Sequence, residues 1–223
     1  MGTGFLVAVV VGSGIFAQRL SPDDVGLQLL ENSTATAAGL VALILAFGSV
    51  SGAHFNPVVS LADRAFGGLS TRDLLAYIPA QVFGACVGAM VANLMFGLDA
   101  VNLSTHERTG GDLWLGEVVA TFGLLMVILG VVRSGRGSTA PFAVAGYIAA
   151  AYWFTSSTSF ANPAVTIGRT LSNTFAGIDP ASVPAFIVAE LVGGIGAICL
   201  AWYLFPEHPT LDLVVPHEQP DAA

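Results

Sequence analysis

Six apolar stretches dominate the chain, at residues 2–17, 33–51, 74–96, 113–132, 141–154 and 181–204. Hydrocarbon offers backbone N–H and C=O groups no water, so only helices and closed barrels cross a bilayer. These stretches are too long and too continuous for barrel strands of about ten residues with alternating polarity. The chain is therefore read as an all-α membrane protein with six transmembrane helices. Composition agrees. Of 223 residues, 54% are hydrophobic and 10% charged, where an average soluble domain has about 25% charged. So little charge cannot cover a soluble fold, and so much apolar surface excludes disorder.

The net charge is −8, and all seven basic residues are arginine. That balance argues against nucleic acid or an anionic lipid surface as a partner. Acids gather at Asp23, Asp24 and Glu31, at Asp99, Glu107 and Asp112, and in a polar tail at 206–223 with Glu207, Asp212, Glu218 and Asp221. The 132–141 link carries Arg133 and Arg136 and no acid, so the positive-inside rule makes it cytoplasmic. Segments 18–32 and 97–112 then lie outside. Six spans leave both termini cytoplasmic in a multi-pass protein of the cell (inner) membrane. No cleavable leader is evident, because the first basic residue, Arg19, follows the apolar run. Cys86 and Cys199 sit inside apolar runs without metal-ligand spacing, which favours helix packing over a disulfide. The histidines do not cluster, so neither a metal nor a cofactor is expected. Small residues four apart, Gly48 with Gly52, Gly84 with Gly88 and Gly193 with Ala197, suit close helix contacts in lipid.

Two shorter segments, 56–66 and 162–174, each open with Asn-Pro. A span needs about twenty residues, so neither crosses. Asparagine caps a helix well and proline suits its first turn, which predicts two half-helices that enter the bilayer and turn back.

The chain also repeats itself. Residues 54–60 match 160–166 at an offset of 106, and 81–85 match 190–194 at an offset of 109. Each half, 1–112 and 113–205, holds two spans, a half-helix and a third span. An odd number of spans inverts the second half, and inverted repeats place a site at the midplane where broken helices meet. There the two half-helix N-termini each bring about half an elementary charge of positive potential. Cations are disfavoured at such a point, and small neutral hydrogen-bonding solutes are not.

The paired Asn-Pro-Val and Asn-Pro-Ala motifs in inverted halves resemble those of the major intrinsic protein family, the aquaporins and aquaglyceroporins. The likeness runs from residue 2 to about 205. Residues 160–170, followed by Thr174-Phe175-Ala176-Gly177-Ile178, resemble in addition the aquaporin-like channels found near bacterial arsenic-resistance genes.

The resemblance implies an aquaporin-like inverted repeat and a homotetramer with one pore per subunit. It implies a pore midplane at Asn56, Pro57 and Val58 with Asn162, Pro163 and Ala164. An outer constriction would fall at Thr36, Ala150, Ser159 and Val165, counted twenty residues before Asn56, and twelve before, three before and three after Asn162. Valine stands where the family keeps arginine. Gly52, Ala53, Ser159, Phe160 and Ala161 would offer a ladder of carbonyls. His54 would line the cytoplasmic side, or simply pack. Glu117 and Glu190, with Gln81 opposite Glu190, would brace the re-entrant loops. Four small side chains make a wide filter, suited to polyols, urea-like solutes, metalloid hydroxides such as arsenite, and water.

A buried acid such as Glu117 or Glu190 is also what a proton-coupled secondary carrier would use, so that alternative stands beside the channel. Ser157 and Ser159 have no histidine nearby in sequence, and no motif suggests an enzyme. Thr3 matches Thr121 at an offset of 118, which carries the counterpart of Glu117 to before Met1. The first span is also short, about 26 Å. Either the true start lies upstream, or one loop lacks its carboxylate brace. Arg169, four residues past Val165, is expected one turn further out, in the outer vestibule. It could instead bond loop carbonyls or a neighbouring subunit.

Overall fold

Four of the eight α-helices among the described residues begin at a side chain that answers orphan N–H groups. The computed structural model describes residues 1–205; the tail read at 206–223 lies outside the described residues. Its α-helices are α1 (Gly2–Leu20), α2 (Val25–Ser51), α3 (Pro57–Ala65), α4 (Thr71–Met95), α5 (Gly111–Arg133), α6 (Ala140–Phe154), α7 (Pro163–Gly168) and α8 (Val183–Leu204). Asp24 caps α2 by accepting the Leu27 N–H at 2.9 Å. Ser70 accepts the Asp73 N–H at 3.1 Å, and its hydroxyl donates to the Asp73 carboxylate at 2.6 Å. Gly52 ends α2 in the left-handed conformation, with φ 63, so it serves as a helix stop and not as the contact partner expected for Gly48.

Five helices, α1, α2, α4, α5 and α8, are long and apolar enough to cross a membrane. The sixth expected span is α6, with 15 residues, about 22 Å against a hydrocarbon core of about 30 Å. A 3₁₀ turn, Gly137–Thr139, leads into it. Val50, Leu75 and Phe83 are exposed on the outward surface of the bundle, as suits a protein embedded in lipid.

Two expectations need correction. The polar stretch before residue 33 is helical and belongs to α2, so the loop expected at 18–32 shrinks to a tight turn. Its polar side chains are satisfied on α1 and at the turn: Asn32 donates to the Val10 carbonyl and the Ser13 hydroxyl, both at 2.9 Å, and Gln28 to the Ser21 carbonyl at 2.7 Å. The second half-helix is shorter than 162–174. After Gly168 it tightens into a 3₁₀ turn, Arg169–Leu171. The carbonyls of Thr170 and Leu171 accept from the backbone of Ser104 and Asn102, at 2.8 and 3.0 Å, instead of continuing a helix.

Helix pairing is alike in the two halves: α1 packs most extensively on α4, and α5 on α8. Both seams depend on glycine. A methyl group at Gly88 would stand 2.1 Å from the Gly4 carbonyl oxygen, and one at Gly193 2.4 Å from that of Val118. Nothing lies within 4 Å of such a group at Gly146. Gly88→Ala is therefore expected to destabilise the protein by about 1–3 kcal/mol, whereas Gly146→Ala leaves it unchanged or slightly more stable. Thermal unfolding of both variants in detergent checks this.

Candidate functional site

The two half-helices meet end to end through their capping asparagines. Asn56 Oδ1 accepts the Val58 N–H at 2.9 Å, and Asn162 Oδ1 accepts those of Ala164 and Val165 at 3.0 and 3.3 Å. Each amide then crosses to the other half. Asn56 Nδ2 donates to the Ala161 carbonyl at 2.7 Å, and Asn162 Nδ2 to the Phe55 carbonyl at 2.9 Å. These reciprocal bonds join sequence-distant loops into one junction.

The approaches to the junction run through left-handed backbone at non-glycine residues: Ala53 and Phe55 on one side, Thr158, Ser159 and Ala161 on the other, with φ between 48 and 62. Such residues cost about 1–3 kcal/mol each unless their surroundings hold them. On the second side two buried glutamates do so. Glu117 accepts the Phe160 and Ala161 N–H groups at 2.8 and 2.6 Å. Glu190 accepts the Asn162 N–H at 3.0 Å and the Thr166 hydroxyl at 2.7 Å. On the first side Gln81 replaces the second glutamate and donates to the Ser60 hydroxyl at 2.9 Å; its Oε1 is buried without a partner. His54 Nδ1 also reaches Ser60, at 3.1 Å, and its Nε2 lies 3.5 Å from Asp63.

A cavity of about 70 Å³ runs past the junction. A single water needs roughly 10–15 Å³ by a comparable measure, so several fit in line. Leu6, Val10, Leu40, Ile44, Leu124, Ile128, Val144 and Ile148 form its apolar wall. Ala53, His54, Phe55, Asn56, Phe160, Ala161 and Asn162 form the facing side. Gly52, Pro57, Val58, Pro163 and Ala164, expected at the pore, do not border it. Val58 packs instead toward α8, where a methyl at Gly194 would meet it at 2.3 Å. Glu117 and Glu190 stand behind the loops. Gln81 borders a separate cavity of about 150 Å³, which His54 shares.

Of the four constriction positions, Thr36, Ser159 and Val165 border the central cavity. Ala150 does not. It is exposed on the outer face of α6, and Tyr152 points inward instead, its hydroxyl 3.2 Å from that of Thr36. Two residues along a helix turn the side chain by about 200°, so a small miscount puts an inward position on the lipid side. No sequence motif marks Tyr152. Its signal is the burial of a hydroxyl-bearing ring near the end of an apolar helix.

Arg169 takes the second of its two expected places, bonding a loop carbonyl. It is 2% exposed and borders the cavity, instead of standing free in a vestibule. Its Nε–H donates to the Ala176 carbonyl, and its guanidinium lies 3.4 Å from the centre of the Phe160 ring. Arg108, from the 97–110 loop, sits over the same ring at 5.0 Å and donates to the carbonyls of Gly177 and Phe175 at 2.9 and 3.3 Å. The 174–178 segment thus presents carbonyls to two arginines. Burial first, and then the charge of Arg108, hold the nearby His106 imidazole below its usual value.

Residues 1–157 match the family model described as major intrinsic protein. The chain is 49% identical over 221 residues to the aquaglyceroporin AqpS of Rhizobium meliloti (strain 1021), covering 99% of this chain and 94% of that one. It is 31% identical over 187 residues to the probable aquaporin AqpM of Archaeoglobus fulgidus, covering 78% and 75%. Among solved structures, the aquaglyceroporin from Plasmodium falciparum shares the fold, with a TM-score of 0.65 at 20% identity over 90% of this chain and 92% of that one. With motif, bundle and relatives in agreement, the chain belongs to the major intrinsic protein family, a family of membrane channels for small solutes and not of enzymes.

Proposed function

We propose that the protein is a passive channel for small neutral hydroxylated solutes, glycerol-type polyols and metalloid hydroxides such as arsenite, with water also passing. One observation carries this reading. Two half-helix N-termini, locked by Asn56 and Asn162, face a narrow cavity whose other wall is apolar. Donors and positive potential repel cations, the loop carbonyls accept hydroxyl protons, and the apolar wall suits the carbon side of a polyol. The constriction is assigned to Thr36, Tyr152, Ser159 and Val165, and the carbonyl ladder to Ala53, Phe160 and Ala161. The chain divides into inverted halves at 1–112 and 113–205, sits in the cell (inner) membrane with cytoplasmic termini, and assembles as a homotetramer.

The carrier reading loses support from Glu117 itself. Each of its oxygens accepts a backbone N–H of the re-entrant loop, which is the work of a brace. Proteoliposomes test this directly. Glycerol and arsenite fluxes, followed by stopped-flow light scattering, are expected to track the solute gradient alone. A flux that an imposed proton gradient drives uphill would refute the channel.

A further inference from the structure

Resting on the channel reading, we infer that Arg169 is the specificity-determining cation of the constriction: the arginine absent at Val165 is supplied from one helical turn beyond it. Position 165 follows the second motif directly and is apolar. Four residues on, the chain stays on the same helix face, and Arg169 ends α7 with its side chain buried against the cavity. No other residue bordering that cavity, among the described residues, bears a fixed positive charge.

How the guanidinium is held shows which atoms it offers. Its Nε–H is taken by the Ala176 carbonyl, and one face lies on the Phe160 ring. Neither Nη has a protein acceptor among the described residues, and neither is sealed away from accessible space. A guanidinium carries five donors in a fixed fork, so the four Nη hydrogens remain for whatever occupies the cavity. Ser159 borders the same cavity, and its hydroxyl is buried without a protein partner. The Thr36 and Tyr152 hydroxyls, bonded to each other, complete the ring. A neutral solute with two or three hydroxyl groups can accept from Arg169. A cation meets the Arg169 charge at the same point.

The second arginine on Phe160 supplies the control. Arg108 binds the same carbonyl segment but does not border the cavity. Both Arg169→Gln and Arg108→Gln disturb that segment, but only the first removes charge from the path. Purified wild type, Arg169→Gln, Arg108→Gln and the exchange variant Val165→Arg/Arg169→Val are reconstituted at matched content. Potassium permeability is measured by diffusion potential, glycerol flux by light scattering, and folding by thermal unfolding. The ratio of potassium to glycerol permeability is expected to rise about tenfold or more in Arg169→Gln, the change from removing ~1.4 kcal/mol of repulsion. It is expected to stay at the wild-type value in Arg108→Gln and to return toward it in the exchange variant. An unchanged ratio in a folded Arg169→Gln, or an equal rise in Arg108→Gln, overturns the assignment. If Arg169→Gln does not fold, the exchange variant decides: potassium leak in that folded protein overturns the assignment, and tight exclusion supports it. Absence of glycerol flux in the wild type would instead refute the channel reading.

Discussion

Replacing Glu117 by alanine is expected to destabilise the protein by roughly 3–6 kcal/mol, because hydrogen bonds to a charged group contribute about 1.5–3 kcal/mol each. Glu117 is fully buried and serves two N–H groups, those of Phe160 and Ala161. Alanine leaves both without an acceptor, in a loop whose left-handed residues Thr158, Ser159 and Ala161 need external support. Glu117→Gln keeps one oxygen but turns an NH₂ group toward the other N–H, so an intermediate loss is expected. The pair of variants also separates scaffold from transport. If Glu117 only braces the loop, glycerol flux per folded Glu117→Gln protein stays near the wild-type value while the unfolding temperature drops. A protein that folds normally but loses solute flux would assign Glu117 a direct part in transport. Unfolding in detergent, alongside flux normalised to folded protein, makes the measurement.

Val165→Arg is expected to change the ratio of fluxes more than the fold. Val165 borders the same cavity as Thr36, Tyr152 and Arg169. A second guanidinium there narrows the passage. A single file of water can still bond to it. Glycerol or arsenite must shed hydration and fit beside two cations. Their fluxes are expected to fall on the order of a hundredfold and water less than about tenfold, each factor of ten being about 1.4 kcal/mol of barrier. Stopped-flow measurements on matched liposomes read both. Equal loss of all fluxes would indicate general blockage, and unchanged glycerol flux would remove Val165 from the constriction.

Some of this design is written locally and was therefore legible. Span positions follow from apolar runs whose length must match a bilayer. The starts of α3 and α7 follow from Asn-Pro, because capping and the proline constraint act within a few residues. Glu117 stands out because an acid inside an apolar run needs partners. Other features depend on distant groups. Residues 25–32 look like a polar loop until Asn32 and Gln28 find acceptors across the bundle on α1 and its end turn. The early end of α7 depends on a loop more than sixty residues upstream, which claims the carbonyls of Thr170 and Leu171.

The sequence by itself determined that this chain is helical, lives in lipid, carries two capped half-helices in duplicated halves, and buries acids beside them. Those properties follow from composition, run length and capping, which act over a turn or two of chain. Only the tertiary structure decided what the cavity wall contains: Tyr152 in place of Ala150, and an Arg169 that bonds a loop carbonyl, which settles between its two expected places. Counting along a chain cannot set a helix's rotation once an irregular loop intervenes, and the path of a long side chain depends on which carbonyl takes its N–H. For Arg169 that carbonyl belongs to Ala176, and the junction of two half-helices brings the pair to the cavity's edge.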